Sequence, residues 1–358
     1  MTDRRPPLRP GLESIAAYQA PQVEARVRLN TNECPYPLPD GFARDLAEAV
    51  ARIDFNRYPD RDATALRKGL SELTGHPAEG IWAANGSNEV IQHLCLAYGG
   101  PGRRALVFQP TYALHTLIPR MVGMEVVAEP LGVGFALEAD AAAEAAARHR
   151  ASVVFVCSPN NPTGNAAPLE AVEALCRATE GLVLVDEAYV EFGAESAAPR
   201  LESHPNLVVV RTFSKAFSLA AARVGYCLAS PELVAELLRV RLPYHLSSLT
   251  QAAGEVALRH LGEARALLDA TRAQRDRILE SLGMMEGVET FPTEANFVLF
   301  RTPLPAPDLW TALLERGVLI RDVSGGAGLE RCLRVSAGTP EETSAFLDAL
   351  PEAMEAVA

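Results

Sequence analysis

Short apolar runs alternate with longer stretches of helical periodicity, and this alternation constrains the fold of the chain more tightly than any other feature. The runs cover residues 105–109, 124–128, 152–157, 182–185, 207–211 and 224–229. Helical patterns lie between them at 89–98, 138–150 and 169–179. An apolar run without polar alternation suits a strand buried on both faces. Strands joined by helix-length crossovers predict βαβ units around a mainly parallel sheet, an α/β fold. With 358 residues, the chain exceeds the ~250–300 residues at which a single core stops growing. The pattern also changes after residue 248. A long helical pattern at 251–282 is followed by strand-like segments at 295–301, 318–323 and 332–336, a final helix at 341–357, and loops at 302–308 and 324–328. We therefore expect an N-terminal arm over 1–30, a large domain over 31–248 and a smaller α+β domain over 249–358.

Composition narrows the function. At 48% hydrophobic and 22% charged, a chain this long can bury a core without disulfide or metal staples. A net charge of −12 argues against global attraction to nucleic acid or an anionic membrane. Cys34, Cys95, Cys157, Cys176, Cys227 and Cys332 are irregularly spaced and form no CxxC pair, as expected of reduced, mostly buried thiols in a cytoplasmic protein. The histidines show no HxH or HExxH spacing, and neither dinucleotide nor P-loop glycine motif occurs. The first ten residues lack the apolar stretch of a secretory signal, and no apolar run approaches the ~20 residues of a membrane helix.

In doubly wound sheets, ligands gather outside the carboxyl ends of the strands. Three consecutive runs end there in polar groups. The first leads into Ser158-Pro159-Asn160-Asn161-Pro162-Thr163-Gly164, the second into Asp186-Glu187-Ala188-Tyr189, and the third into Thr212-Phe213-Ser214-Lys215-Ala216-Phe217. Each has a plainer reading alone: Asn-Pro-Thr-Gly is a turn signal, and an Asp at a strand end is a capping residue. Lys215 stands out further. Of 33 basic residues only Lys68 and Lys215 are lysine. Where charge alone matters arginine serves, but only an amine can lose its proton. Lys68 sits beside Arg67 in a helical pattern and fits a solvated face, whereas Lys215 is flanked by Phe213, Phe217 and Leu219.

The strings SPNNPTG, DEAY and SKAF, followed by Arg223, are spaced by 25 residues from Asn161 to Asp186 and 29 from Asp186 to Lys215. This set resembles the pyridoxal-phosphate-dependent aminotransferases of fold type I. The resemblance runs from Leu29-Asn30-Thr31-Asn32-Glu33 to Leu333-Arg334-Val335-Ser336. Asn56-Arg57-Tyr58-Pro59-Asp60, Ala84-Asn85-Gly86-Ser87-Asn88-Glu89, Arg241-Leu242-Pro243-Tyr244-His245-Leu246-Ser247, Ala295-Asn296-Phe297-Val298-Leu299-Phe300 and Ile320-Arg321-Asp322 are most similar to its histidinol-phosphate aminotransferase branch. Cys34 departs from the branch's usual Asn-Glu-Asn-Pro, and Gln109 stands before Pro110 where a proline or small residue is common.

The resemblance implies a large domain with a mainly parallel seven-stranded sheet, a smaller α+β C-terminal domain, a homodimer, and pyridoxal 5′-phosphate as cofactor. It implies Lys215 as the amine that bonds the cofactor aldehyde and later carries the substrate proton. Asp186 would pair with the pyridine nitrogen, Asn161 and Tyr189 with the ring 3′-oxygen, and Tyr112 would stack on the ring. The cofactor phosphate would sit on Gly86, Ser87 and Asn88 at a helix start, with Thr212, Ser214 and Arg223, and with Tyr58 reaching over from the other subunit. Arg334, Arg321 and Tyr18 would hold the phosphate-bearing arm of the substrate, with Tyr244, Asn32 and Asn296 on its imidazole side. An ion pair with Asp322 is the plainer reading of Arg321. The implied reaction converts histidinol phosphate and 2-oxoglutarate to imidazole-acetol phosphate and glutamate. An aromatic amino-acid aminotransferase or a threonine-phosphate decarboxylase on the same scaffold are the alternatives.

Overall fold

The computed structural model describes residues 6–13, 15–16 and 23–358. In chain order the elements are β1 (Val27–Arg28), α1 (Asp40–Ala51), α2 (Thr64–Thr74), β2 (Ile81–Asn85), α3 (Ser87–Tyr98), β3 (Arg104–Gln109), α4 (Leu114–Met121), β4 (Glu125–Pro130), α5 (Ala139–His149), β5 (Val153–Cys157), α6 (Leu169–Ala178), β6 (Leu182–Asp186), β7 (Leu207–Thr212) and β8 (Val224–Leu228). There follow α7 (Pro231–Leu237), α8 (Ser248–Arg259), α9 (Leu261–Gly283), β9 (Glu289–Thr290), β10 (Phe297–Arg301), α10 (Ala306–Glu315), β11 (Val318–Leu319), β12 (Arg321–Asp322), β13 (Cys332–Ser336) and α11 (Pro340–Val357).

The large sheet has seven strands in the order β2-β8-β7-β6-β5-β3-β4. Five of them, β7 through β4, are parallel neighbours, and β8 runs antiparallel to both β7 and β2. Every residue of β5 and β6 is buried, because helices cover both faces. Val154, Val156, Val183 and Val185 pack into one core with α2, α5 and α6, while Val153, Phe155, Leu182 and Leu184 pack into the other with α3. That two-sided burial accounts for the uninterrupted apolar runs. It also sets the carboxyl ends of β5, β6 and β7 side by side.

The second sheet is antiparallel, β12-β13-β10-β9, and packs on α9, α10 and α11. Here the structure departs from the sequence expectations in several places. Strand β2 falls outside the runs identified above, since Ile81-Trp82-Ala83-Ala84 carries little β-branched signal. The pattern at 251–282 is two helices, not one. His260 breaks it at φ −110, ψ 30, with its ring bonded to Asp45 and Glu263 and stacked on Phe42. The strand-like segment at 318–323 divides: β11 pairs in parallel with β1, and β12 pairs with β13. The loop expected at 302–308 ends early, because α10 starts at Ala306 with Pro305 as N-cap and Pro307 in its first turn, where proline is tolerated.

Candidate active site

The ends of β5, β6 and β7 open into a cavity of about 900 Å³. Asn161, Asp186, Tyr189, Thr212, Ser214 and Lys215 all line it, as do Ser87, Asn88, Tyr112 and Arg223 on the large-sheet side and Asn32, Arg321 and Arg334 opposite.

Lys215 follows β7 on a loop anchored by Phe213 stacked on Phe217, ring centroids 4.3 Å apart. Its Nζ donates to the carbonyl of Thr31 at 2.9 Å and lies 5.9 Å from the Tyr189 ring centroid. Burial, then the nearby Arg334 charge, pulls its ammonium down to about 8. The unfolded chain keeps that proton up to about 10.5. Between these values the unfolded state binds more protons than the folded one, so stability of the cofactor-free protein rises with pH across that window. The neutral amine is also the form that attacks an aldehyde. Capture of pyridoxal 5′-phosphate by the cofactor-free protein is therefore expected to quicken with pH and level off above about 8. Stopped-flow absorbance would record it, and a flat rate between pH 6 and 9 would contradict the assigned amine.

Asp186 ends β6, 2% exposed. Its Oδ1 accepts from the Ala188 amide at 3.1 Å, and its Oδ2 lies 3.0 Å from Nε2 of His115. His115 comes from α4 and is wholly buried; its ring stacks on Phe155 and its Nδ1 meets the Thr111 hydroxyl at 3.3 Å. Sequence reasoning missed it, because a lone histidine outside any metal-ligand spacing carries no signal of its own. Its one signal was its place three residues beyond Tyr112, at the start of a helix following a buried strand. Tyr112 meets His115 edge-on and its hydroxyl reaches Asn88 at 3.5 Å.

Tyr189 accepts from Asn32 Nδ2 at 3.0 Å and Asn161 Nδ2 at 3.4 Å. Burial pushes its phenol well above its usual value, while the Arg334 charge and the Asn32 bond pull the other way. Asn160 and Gly164 do form the turn that Asn-Pro-Thr-Gly signals, closed by Gly164 N to Asn160 O at 2.7 Å. The same turn delivers Asn161 to the cavity.

An anion cradle occupies one end. Gly86 caps α3 at φ 86; the amides of Ser87 and Asn88 have no acceptor within the helix, while Glu89 N turns back to the Gly86 carbonyl at 3.2 Å. Arg223 and Ser214 close the other side, Arg223 Nη1 reaching Ser214 Oγ at 3.5 Å. Two glycines make this approach possible. A Cβ on Gly86 would stand 2.5 Å from Arg223 Nη2, and one on Gly225 would stand 2.3 Å from Ser87 N. Thr212 orders the loop, its Oγ1 accepting from Ser214 N at 3.1 Å.

At the other end Arg321 and Arg334 are cross-strand partners on β12 and β13. Arg334 also donates to Asn161 Oδ1 and to the Asn30 carbonyl. Three of the named residues lie elsewhere. Tyr58 is 80% exposed, stacked on Tyr244 with centroids 4.5 Å apart, and neither lines the cavity of its own chain. Asn296 is fully buried, donates to the Asn32 carbonyl at 3.0 Å and supports the site from behind. Tyr18 lies outside the described residues.

The donor set fits pyridoxal 5′-phosphate: an amine of lowered basicity, a buried carboxylate, an aromatic ring and a glycine-lined anion cradle share one cavity. A doubly wound sheet presenting that set at its switch point defines a pyridoxal-phosphate-type transferase. The family model for aminotransferase class I and II matches residues 25–350. A histidinol-phosphate aminotransferase of Frankia casuarinae is 49% identical over 96% of this chain and 89% of its own. One of Thermobifida fusca is 47% identical over 96% and 94%. The crystal structure of histidinol-phosphate aminotransferase from Sinorhizobium meliloti in complex with pyridoxal-5′-phosphate has the same fold, with a TM-score of 0.89 at 24% identity over 98% of both chains. The chain belongs to the class I and II aminotransferase family, within its histidinol-phosphate aminotransferase branch.

Proposed function

We propose that this chain moves the amino group of histidinol phosphate to 2-oxoglutarate, using pyridoxal 5′-phosphate, and releases imidazole-acetol phosphate and glutamate. The observation that carries the substrate is the arginine pair. Arg321 and Arg334 stand directly opposite one another and both line the cavity. Like charges so placed repel, unless a bound anion lies between them. Two guanidinium forks suit a phosphate dianion better than a single carboxylate. Among the described residues Arg321 has no acidic partner, and Asp322 is instead turned to the Ser324 amide at 2.8 Å. The names and identity of the Frankia and Thermobifida relatives support the same substrate.

Pyridoxal 5′-phosphate supplies an aldehyde that takes up amino groups and a ring that accepts the electron pair left when a neighbouring carbon loses its proton. The chain supplies the rest. Ser87, Asn88, Ser214 and Arg223 would bind the cofactor phosphate, and Tyr112 would cover the ring. Asp186 would hold the ring nitrogen in its cationic form, with His115 and the Ala188 amide fixing the carboxylate. Tyr189 and Asn161 would donate to the ring oxygen. Lys215 would bond the aldehyde at rest and then, as a free neutral amine, lift the proton from the substrate carbon and return it. Arg321 and Arg334 would hold the substrate phosphate so that this carbon stays beside Lys215.

A homodimer is part of this reading. An exposed Tyr58 braced by Tyr244 outside its own cavity is suited to complete the cradle of a second copy. The cytoplasm is the expected compartment, supported by six unpaired cysteines. Purified protein with pyridoxal 5′-phosphate, histidinol phosphate and 2-oxoglutarate should form glutamate. Faster turnover of phenylalanine would move the assignment to an aromatic aminotransferase, and carbon dioxide release without an oxo-acid would move it to a decarboxylase.

Arg321→Ala is expected to raise KM for histidinol phosphate about 10–100-fold, the worth of charge-assisted hydrogen bonds of ~1.5–3 kcal/mol. KM for an amino donor without phosphate should move far less. Equal effects on both donors would place the phosphate elsewhere.

A further inference from the structure

The Tyr189 hydroxyl has one proton and two lone pairs. Both lone pairs face amides: Asn32 Nδ2 at 3.0 Å and Asn161 Nδ2 at 3.4 Å. The one proton is thereby left for a third direction, and Tyr189 lines the cavity. What turns the two amides that way is the question, since an amide flipped end for end would present oxygen and take the proton for itself.

For Asn161 the answer is Arg334. A guanidinium only donates, so the oxygen of Asn161 must face it and the nitrogen must face Tyr189. For Asn32 the holding group is Ser336. Its Oγ accepts from the Asn32 backbone amide at 3.0 Å and donates to Asn32 Oδ1 at 2.9 Å. Asn296 adds a third hold on the Asn32 carbonyl at 3.0 Å. Asn32 keeps a left-handed backbone at φ 55 while almost fully buried, a conformation that a short polar side chain tolerates better than most. Ser336 and Arg334 lie two residues apart on β13 and so face the same side of their sheet. Both props of the phenol therefore come from one strand of the smaller sheet.

We propose that Ser336, acting through Asn32, is a positioning residue that directs the Tyr189 proton into the cavity, toward the oxygen of the bound cofactor. This rests on the proposed function, because it needs a cofactor oxygen to receive the proton. Ser336 does not line the cavity, so its effect on substrate can only be indirect. A hydrogen bond donated to the ring oxygen stabilises that oxygen as an anion and lowers the proton affinity of the conjugated nitrogen joined to Lys215. Losing the prop must raise that affinity.

The test uses the full chain loaded with pyridoxal 5′-phosphate and a pH titration of its visible absorption. Ser336→Ala should raise the apparent pKa of the chromophore by part of the shift caused by Tyr189→Phe. In a Tyr189→Phe background it should add nothing, since the proton it directs is gone. Turnover should show kcat lowered with KM for histidinol phosphate nearly unchanged. Asn32→Gly provides a second variant, keeping the left-handed backbone and removing the amide, and should reproduce the shift if Ser336→Ala does not fold. No shift in whichever of these variants folds, or an equal shift with and without the Tyr189 hydroxyl, would overturn the proposal. If the wild-type chain forms no visible chromophore at all, the proposed function fails first and this inference with it.

Discussion

Lys215→Ala should abolish transamination and leave the fold intact. General acid–base catalysis by a placed side chain contributes ~10²–10⁴-fold, and here the same amine would also bond the cofactor, so a loss of at least ~10⁴-fold is expected. The structural cost should be small. Among the described residues Lys215 makes one hydrogen bond, to the Thr31 carbonyl, and burial already disfavours its charged form. Below pH 8 the wild-type chain carries that cost and the alanine variant does not, so the variant's cofactor-free Tm there should equal or exceed the wild-type value. Lys215→Arg separates two explanations. It preserves positive charge in a chain where nearly every other cation is arginine, but a guanidinium cannot give up its proton. It should be as inactive as alanine and lack the visible chromophore. Normal glutamate formation by either variant would remove Lys215 from the chemistry.

The central strands of the large sheet were legible because they are buried on both faces and need no partner to be recognised. Leu182 to Val185 reads as a strand from its own composition. The same logic failed for β2, whose alanines carry little signal, and for the pairing of β1 with β11, which joins residues nearly the length of the chain apart. His260 ends a helix through side-chain contacts with Asp45 and Phe42, on a helix far back in sequence. The candidate site divides in the same way. Asn161, Asp186 and Lys215 stand in local motifs at strand ends, each ambiguous alone, and became legible as a set at fixed spacing. His115 and Ser336 act only through a distant neighbour, and |i−j| of 71 and 304 separates them from Asp186 and Asn32. Nothing in a linear pattern marks such a pair. Tyr58 was named only by resemblance, and it does not line the cavity of its own chain.

Asp186→Asn is expected to reduce turnover on the order of 10³-fold, the scale of losing a preorganised charge in a water-excluded site, while the chain folds normally. The amide can still accept from Ala188 N, and His115 can present an unprotonated Nε2 to the new Nδ2–H by shifting its proton to Nδ1, where the Thr111 hydroxyl accepts it. So the groups now bonded to Asp186 keep their partners. What disappears is the negative charge that would keep the ring nitrogen cationic. Asparagine keeps the volume and the hydrogen bonds of this nearly fully buried position. Asp186→Asn should therefore match the wild-type Tm without cofactor, and gain less than wild type when pyridoxal 5′-phosphate is added. A residue kept for packing would behave the other way, losing stability without cofactor and little activity with it. His115→Phe makes the finer comparison. A phenyl ring can keep the stacking on Phe155, but Asp186 Oδ2 loses its side-chain donor. Hydrogen bonds to charged groups are worth ~1.5–3 kcal/mol, so turnover should fall about 10–100-fold, less than for Asp186→Asn. Combining the two changes should cost no more than Asp186→Asn alone, because His115 acts only through the carboxylate. Additive losses in the double variant would show that His115 meets the cofactor by another route.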